Sequence, residues 1–101
     1  MRMNPSEHYR AAAAELTQVA EALEGGDTDA GMAVEATVRL LEGLTEVEPD
    51  RGTVEALHGL GERLRVAGAT SPEKLREIVG VLHRVADNHD GLEGELVRLW
   101  S

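Results

Sequence analysis

In the last third of the chain, Leu75, Ile78, Leu82, Val85, His89, Leu92, Leu96 and Leu99 are separated by alternating steps of 3 and 4. This is the a/d rhythm by which one helix packs along another, and His89 is its one polar member. The same 3-4 alternation appears near the start, in Tyr9, Ala12, Leu16, Val19 and Leu23, with Ala13 and Ala20 beside the stripe. The resulting arc covers roughly a third of the helix circumference, so the first helix is expected to pack on one side only.

Punctuation residues divide the chain into four helices. Asn4-Pro5 supplies a cap and an N1 proline, and Gly25-Gly26 supplies a stop, predicting a helix over 5–24. Asp27-Thr28-Asp29 opens a second over 28–47, where Ala33, Val34, Val38, Leu40, Leu41 and Leu44 help fill more than half the wheel. A helix that apolar is expected at the centre of the fold. Glu48-Pro49-Asp50 breaks the chain, because proline disfavours helix at the residue before it. A third helix, 53–67, presents Val54, Leu57, Leu60, Leu64 and Ala67 and stops at Gly68.

The fourth helix opens at Ser71-Pro72-Glu73 and is predicted over 72–100. Asn88-His89-Asp90-Gly91 are poor helix formers and mark a break or kink, yet the seam runs through them without losing phase. Connections of about four or five residues make sequential helices antiparallel. The expected architecture is an all-α, antiparallel up-down four-helix bundle in a single domain, with a long C-terminal helix, continuous or kinked. At 1.5 Å per residue that last helix would extend about 43 Å, further than its neighbours. Leu92, Leu96, Leu99 and Trp100 would then lie beyond the cover of their own chain.

Composition narrows the picture. With no Phe, and Tyr9 and Trp100 as the only aromatics, the core must be aliphatic. A net charge of −9 disfavours nucleic acid and anionic lipid as partners. The absence of cysteine removes disulfides and thiolate metal sites. No apolar run approaches the ~20 residues of a membrane span, and the first residues lack the apolar segment of a signal peptide. A cytoplasmic protein is expected.

Candidate chemistry is sparse. Glu55 and His58 form a Glu-x-x-His, the pair that carboxylate-bridged metal sites place on bundle helices, but such a site needs a second copy and none is present. The wheel also puts Glu55, His58 and Glu62 on the polar side of the third helix, away from Leu57, Leu60 and Leu64. His83 and Asp87, at i and i+4, are spaced to pair on a surface, with His89 and Asp90 nearby; zinc normally wants three or four converging ligands. Of the three serines, Ser6 and Ser71 stand at helix starts, and Gly59-Leu60-Gly61 lacks the preceding strand of a phosphate loop. No catalytic, cofactor-binding or metal residue is therefore assigned, and the chain leans away from an enzyme.

The expected function is a small acidic, non-enzymatic protein–protein interaction or scaffold domain that forms a homodimer. Its interface would be His89, Leu92, Leu96, Leu99 and Trp100. His89 reads either as a partly exposed residue at a kink beside Asp90 or as a polar seam position that fixes register, as a buried Asn does. Two other functions fit the composition: an acidic regulator that covers a basic surface of a protein partner, using edges such as Glu35, Glu42 and Glu46, and a ligand- or metal-binding bundle with a catalytic or accessory role.

Overall fold

The computed structural model describes residues 5–87. They form four α-helices and no strand: α1 (Pro5–Gly25), α2 (Ala30–Val47), α3 (Arg51–Ala67) and α4 (Pro72–Asp87). The predicted continuation of the last helix to residue 100, and the possible break at 88–91, lie outside the described residues.

Each boundary has a local cause. α1 ends in a Schellman turn: Gly26, at φ 81°, donates to the Leu23 carbonyl at 3.3 Å, and Asp27 donates to the Ala22 carbonyl at 2.8 Å. α2 is capped by Asp29, whose Oδ1 accepts from the Met32 amide at 2.7 Å. α3 begins two residues earlier than the sequence pattern suggests, because Asp50 caps it. One Asp50 oxygen accepts from both the Thr53 amide at 2.9 Å and the Thr53 hydroxyl at 2.7 Å. α3 stops at Gly68, which takes φ 73° and donates to the Leu64 carbonyl. Ser71 then caps α4, accepting from the Lys74 amide at 3.2 Å, with Pro72 in the first turn.

The helices run alternately up and down, and contacts between their ends show it. Arg10 near the start of α1 pairs with Asp87 at the end of α4, while Glu24 at the end of α1 pairs with Arg76 near the start of α4. Arg65 in α3 reaches back to Glu42 in α2. The packing order is α4, α1, α2, α3, so this is a four-helix bundle in which α1 and α2 each have two neighbours. The Cα atoms of α3 and α4 nowhere come within 8 Å of each other, which leaves the fourth side of the bundle wider than the other three.

The core is aliphatic as composition demands. Leu16, Leu41, Leu57, Leu60, Leu75, Ile78 and Leu82 are its largest fully buried aliphatic side chains, and Tyr9 adds the one aromatic among the described residues. Thr37 is also fully buried; its hydroxyl donates to the Ala33 carbonyl one turn back, so no polar atom there is stranded.

The expected one-sided packing of α1 is corrected. α1 lies between α4 and α2, and buries Ala12, Ala13 and Ala20 as well as Tyr9 and Leu16. Small side chains add little apolar area, but they let helix backbones approach, so the alanines widen the packing face beyond what the large residues show. α2, expected at the centre, packs on both α1 and α3 and keeps one flank open. Ala36 and Leu40 stay half-buried on its outer flank, where they meet Val19 and Ala22 of α1 in an open groove. No helix among the described residues is long and apolar enough to cross a membrane.

Candidate functional site

The described half of the C-terminal seam is occupied by this chain's own bundle. Leu75, Ile78, Leu82 and Val85 are fully buried on α4, the helix that packs most extensively on α1. The other half of the seam, His89, Leu92, Leu96 and Leu99, falls with Trp100 outside the described residues.

The polar groups singled out from the sequence do not converge. Glu55, His58 and Glu62 are exposed on the outer face of α3, as the wheel places them. Glu62 belongs instead to a surface ion cluster in which Arg65 contacts Glu62 at 3.4 Å and Glu42 at 2.9 Å. His83 is exposed, and Asp87, its i+4 neighbour, is taken by Arg10 of α1 at 2.8 Å. Among the described residues no three His, Asp or Glu side chains gather as a metal site would require. At the other end of the α1–α4 contact, Arg76 grips both carboxylate oxygens of Glu24, at 2.7 and 3.2 Å. Those hydrogen bonds first, and the guanidinium charge second, hold the Glu24 carboxyl below the usual carboxylate range.

One polar constellation was not visible in the sequence. Tyr9, fully buried in the first turns of α1, donates its hydroxyl to Glu48 Oε1 at 2.5 Å. Glu48 is 7% exposed, and its other oxygen accepts from the Asp50 amide at 3.0 Å. Asp50 is in turn the cap of α3. A single chain of hydrogen bonds thus ties the start of α1 to the turn between α2 and α3. Burial, and then the Glu48 hydrogen bond and charge, push the Tyr9 phenol well above its ordinary range. Glu48 stands beside Pro49 in a turn, where composition alone reads as solvated loop. No periodicity marks such a residue as buried.

Two grooves open on the described surface. One lies along α1 and α2, with a volume of about 490 Å³, apolar at Val19, Ala22, Ala36 and Leu40 and edged by Glu15 and Arg39. The other, about 380 Å³, opens at the wide side of the bundle where α3 ends and α4 begins. Leu60 and Leu64 form its floor, and Arg63, Lys74 and the Ala69–Ser71 link form its rim. The Thr70 hydroxyl in this link is buried and has no hydrogen-bond partner among the described residues. Comparison with protein-family models, with curated proteins and with solved structures finds no match to this chain.

Proposed function

We propose that this chain is a non-enzymatic interaction domain that self-associates as a two-fold dimer through the C-terminal part of its heptad seam. The observation that supports this reading is the register of α1 against α4. The Arg10–Asp87 ion pair puts the start of α1 beside the end of α4, so that only Pro5–Tyr9 of that helix lie beyond it. The chain still carries Leu92, Leu96, Leu99 and Trp100, four large apolar residues in the rhythm of the seam or next to it. A second copy offers an equivalent surface, and symmetric pairs are the commonest oligomers.

Light scattering at micromolar concentration tests the proposal. The expected mass is twice the 10.9 kDa of one chain. Leu92→Glu combined with Leu96→Glu is expected to give a monomer with unchanged helicity, since two carboxylates buried in a seam cost several kcal/mol while the four-helix core is untouched. A wild-type mass near 11 kDa at high concentration refutes it.

A second reading draws on the charge distribution. Arg10, Arg65, Lys74 and Arg76 all face acids of their own chain, while Glu35 and Glu46 stand exposed on α2. This excess of outward-facing carboxylates suits a partner with a basic surface. Binding to such a partner would weaken steeply with added salt, which dimerisation through leucines would not.

A further inference from the structure

We propose that the outer face of α1 and α2 is a second self-association surface, on which two copies of this chain pair about a two-fold axis parallel to the helices. The apolar half of that face is a row on α2. Met32, Ala36, Leu40, Gly43 and Val47 follow one another at steps of 4, 4, 3 and 4, which at about 100° per residue keeps them within roughly 80° of the wheel. The bundle uses the other side of α2, where Val34, Val38, Leu41 and Leu44 are buried. The row itself stays outside. Met32 is 63% exposed, Ala36, Leu40 and Val47 are half-buried, and a methyl group at Gly43 would meet nothing within 4 Å. Across the groove of about 490 Å³, α1 adds Val19 and Ala22 to the face.

Charge identifies the occupant. Glu15 of α1 and Arg39 of α2 line the same groove, and neither makes an ion pair among the described residues. In a chain of net charge −9, the groove therefore carries one acid and one base. A uniformly basic or uniformly acidic partner would satisfy one of them and oppose the other, whereas a second copy satisfies both. The link between α1 and α2 is short, so residues about equally far from it lie level: Glu15 with Arg39, Val19 with Ala36, Ala22 with Met32. A two-fold axis parallel to the helices lays α1 of each copy on α2 of the other at the same level. Each Glu15 then meets the partner's Arg39, and the contact is made twice. The same rotation sets Val19 over the partner's Ala36 and Ala22 beside the partner's Met32, large side chains against small ones. Few large side chains take part, so the pair belongs with weak interfaces and not with the standard class of roughly 800 Å² per partner. The surface is separate from the C-terminal seam, and a chain with both would build assemblies of more than two copies.

The test is light scattering at low ionic strength on the whole chain carrying Leu92→Glu and Leu96→Glu, which removes the seam contact and leaves this face intact. Its mass is expected to be that of one chain, 10.9 kDa, at about 10 μM and to approach twice that at about 1 mM, for a Kd of about 0.1–1 mM. Arg39→Glu and Glu15→Arg, added singly, are each expected to weaken the pair by roughly tenfold, because each replaces two opposite-charge contacts with two like-charge ones. Both side chains are exposed, so the variants should keep their helical circular dichroism. Mixing the two variants in equal amounts is expected to restore association, since every contact between unlike chains again sets an acid against a base. In the wild-type chain the same reversals are expected to remove the growth in mass between about 10 μM and about 1 mM. A wild-type chain that is monomeric at about 10 μM counts against the seam alone, because this face is read at the higher concentration. The proposal is overturned by a mass that stays near 11 kDa at about 1 mM, by single reversals that leave the pair unchanged, or by a mixture that associates no better than either variant.

Discussion

The hydrogen-bonded pair Tyr9–Glu48 makes a quantitative statement about alkaline stability. In the folded chain the phenol is buried against a carboxylate, so ionising it would set two negative charges 2.5 Å apart away from water. Its pKa is therefore raised above the ordinary value near 10, which the unfolded chain recovers. For a group raised in the folded state, the stabilisation is complete below the unfolded value and is lost as pH rises above it. Above pH 10 the unfolded chain releases a proton that the folded chain keeps, at about 1.4 kcal/mol per pH unit once titration is complete. Stability should fall by about 1.4 kcal/mol by pH 11 and by about 2 kcal/mol by pH 11.5. The window is clean because Lys74 is the only lysine and nine arginines stay charged throughout. Tyr9→Phe removes the titrating group. At neutral pH it should cost about 1–3 kcal/mol, because Glu48 loses a donor while staying buried. Its stability should then stay flat, so that the two curves converge near pH 11.5. Urea unfolding followed by helical circular dichroism measures both curves. Tyrosinate absorbance reports the ionisation directly, since Tyr9 is the only tyrosine. Parallel curves between pH 9 and 11.5, or tyrosinate appearing near pH 10 in the folded protein, would refute the reasoning.

Other substitutions test the packing and the polar surface. Leu41→Ala should destabilise by roughly 2–5 kcal/mol, since Leu41 is 2% exposed at the centre of α2, whereas Ala14→Ser on the exposed side of α1 should cost no more than about 0.5 kcal/mol; equal melting temperatures would disprove the burial pattern. Gly43→Ala should raise stability by about 0.5–1 kcal/mol, because the new methyl group meets nothing within 4 Å and the residue lies inside α2. Gly68→Ala should lower it by roughly 1–2 kcal/mol, the cost of a side chain at φ 73°; denaturant midpoints that shift in the same direction would contradict the pair. Glu55→Ala with His58→Ala should leave thermal stability nearly unchanged, as both side chains are exposed, and elemental analysis should find no stoichiometric zinc, iron or manganese; one metal ion per chain, lost in that double variant, would overturn the assignment.

Helix number, order and direction were legible because they rest on strong local signals. Pro5, Pro72, Gly26 and Gly68 each fix a boundary by restricting or releasing φ, and the 3-4 spacing of leucines fixes which face turns inward. One error comes from reading hydrophobicity as size. Ala12, Ala13 and Ala20 stand in or beside the apolar stripe of α1, but their small side chains did not suggest that the helix packs on two neighbours. α2, expected at the centre, does pack on both α1 and α3, while Ala36 and Leu40 on its flank remain at an open groove. α3 starts at Arg51 and not Thr53 because Asp50, read from the sequence only as part of the break around Pro49, caps it.

What was least legible is the feature with the largest consequence for the assembly of the bundle. Glu48 lies in a turn between a valine and a proline, 39 positions from Tyr9, and nothing in its neighbourhood distinguishes it from the exposed Glu46. Its burial follows from tertiary closure: once α1 and α2 align, the start of α1 meets the end of α2, and the phenol of Tyr9 arrives where Glu48 leaves the helix. A carboxylate there would be costly without donors. It receives one from Tyr9 and one from the Asp50 amide, and Asp50 in turn starts α3. The direction of α3 is thereby coupled to the seating of α1. At the opposite end of the bundle α3 and α4 diverge, and the groove floored by Leu60 and Leu64 opens between them. The bundle is thus closed by hydrogen bonds at the end that holds Tyr9, while α3 and α4 stand apart at the end that holds Thr70.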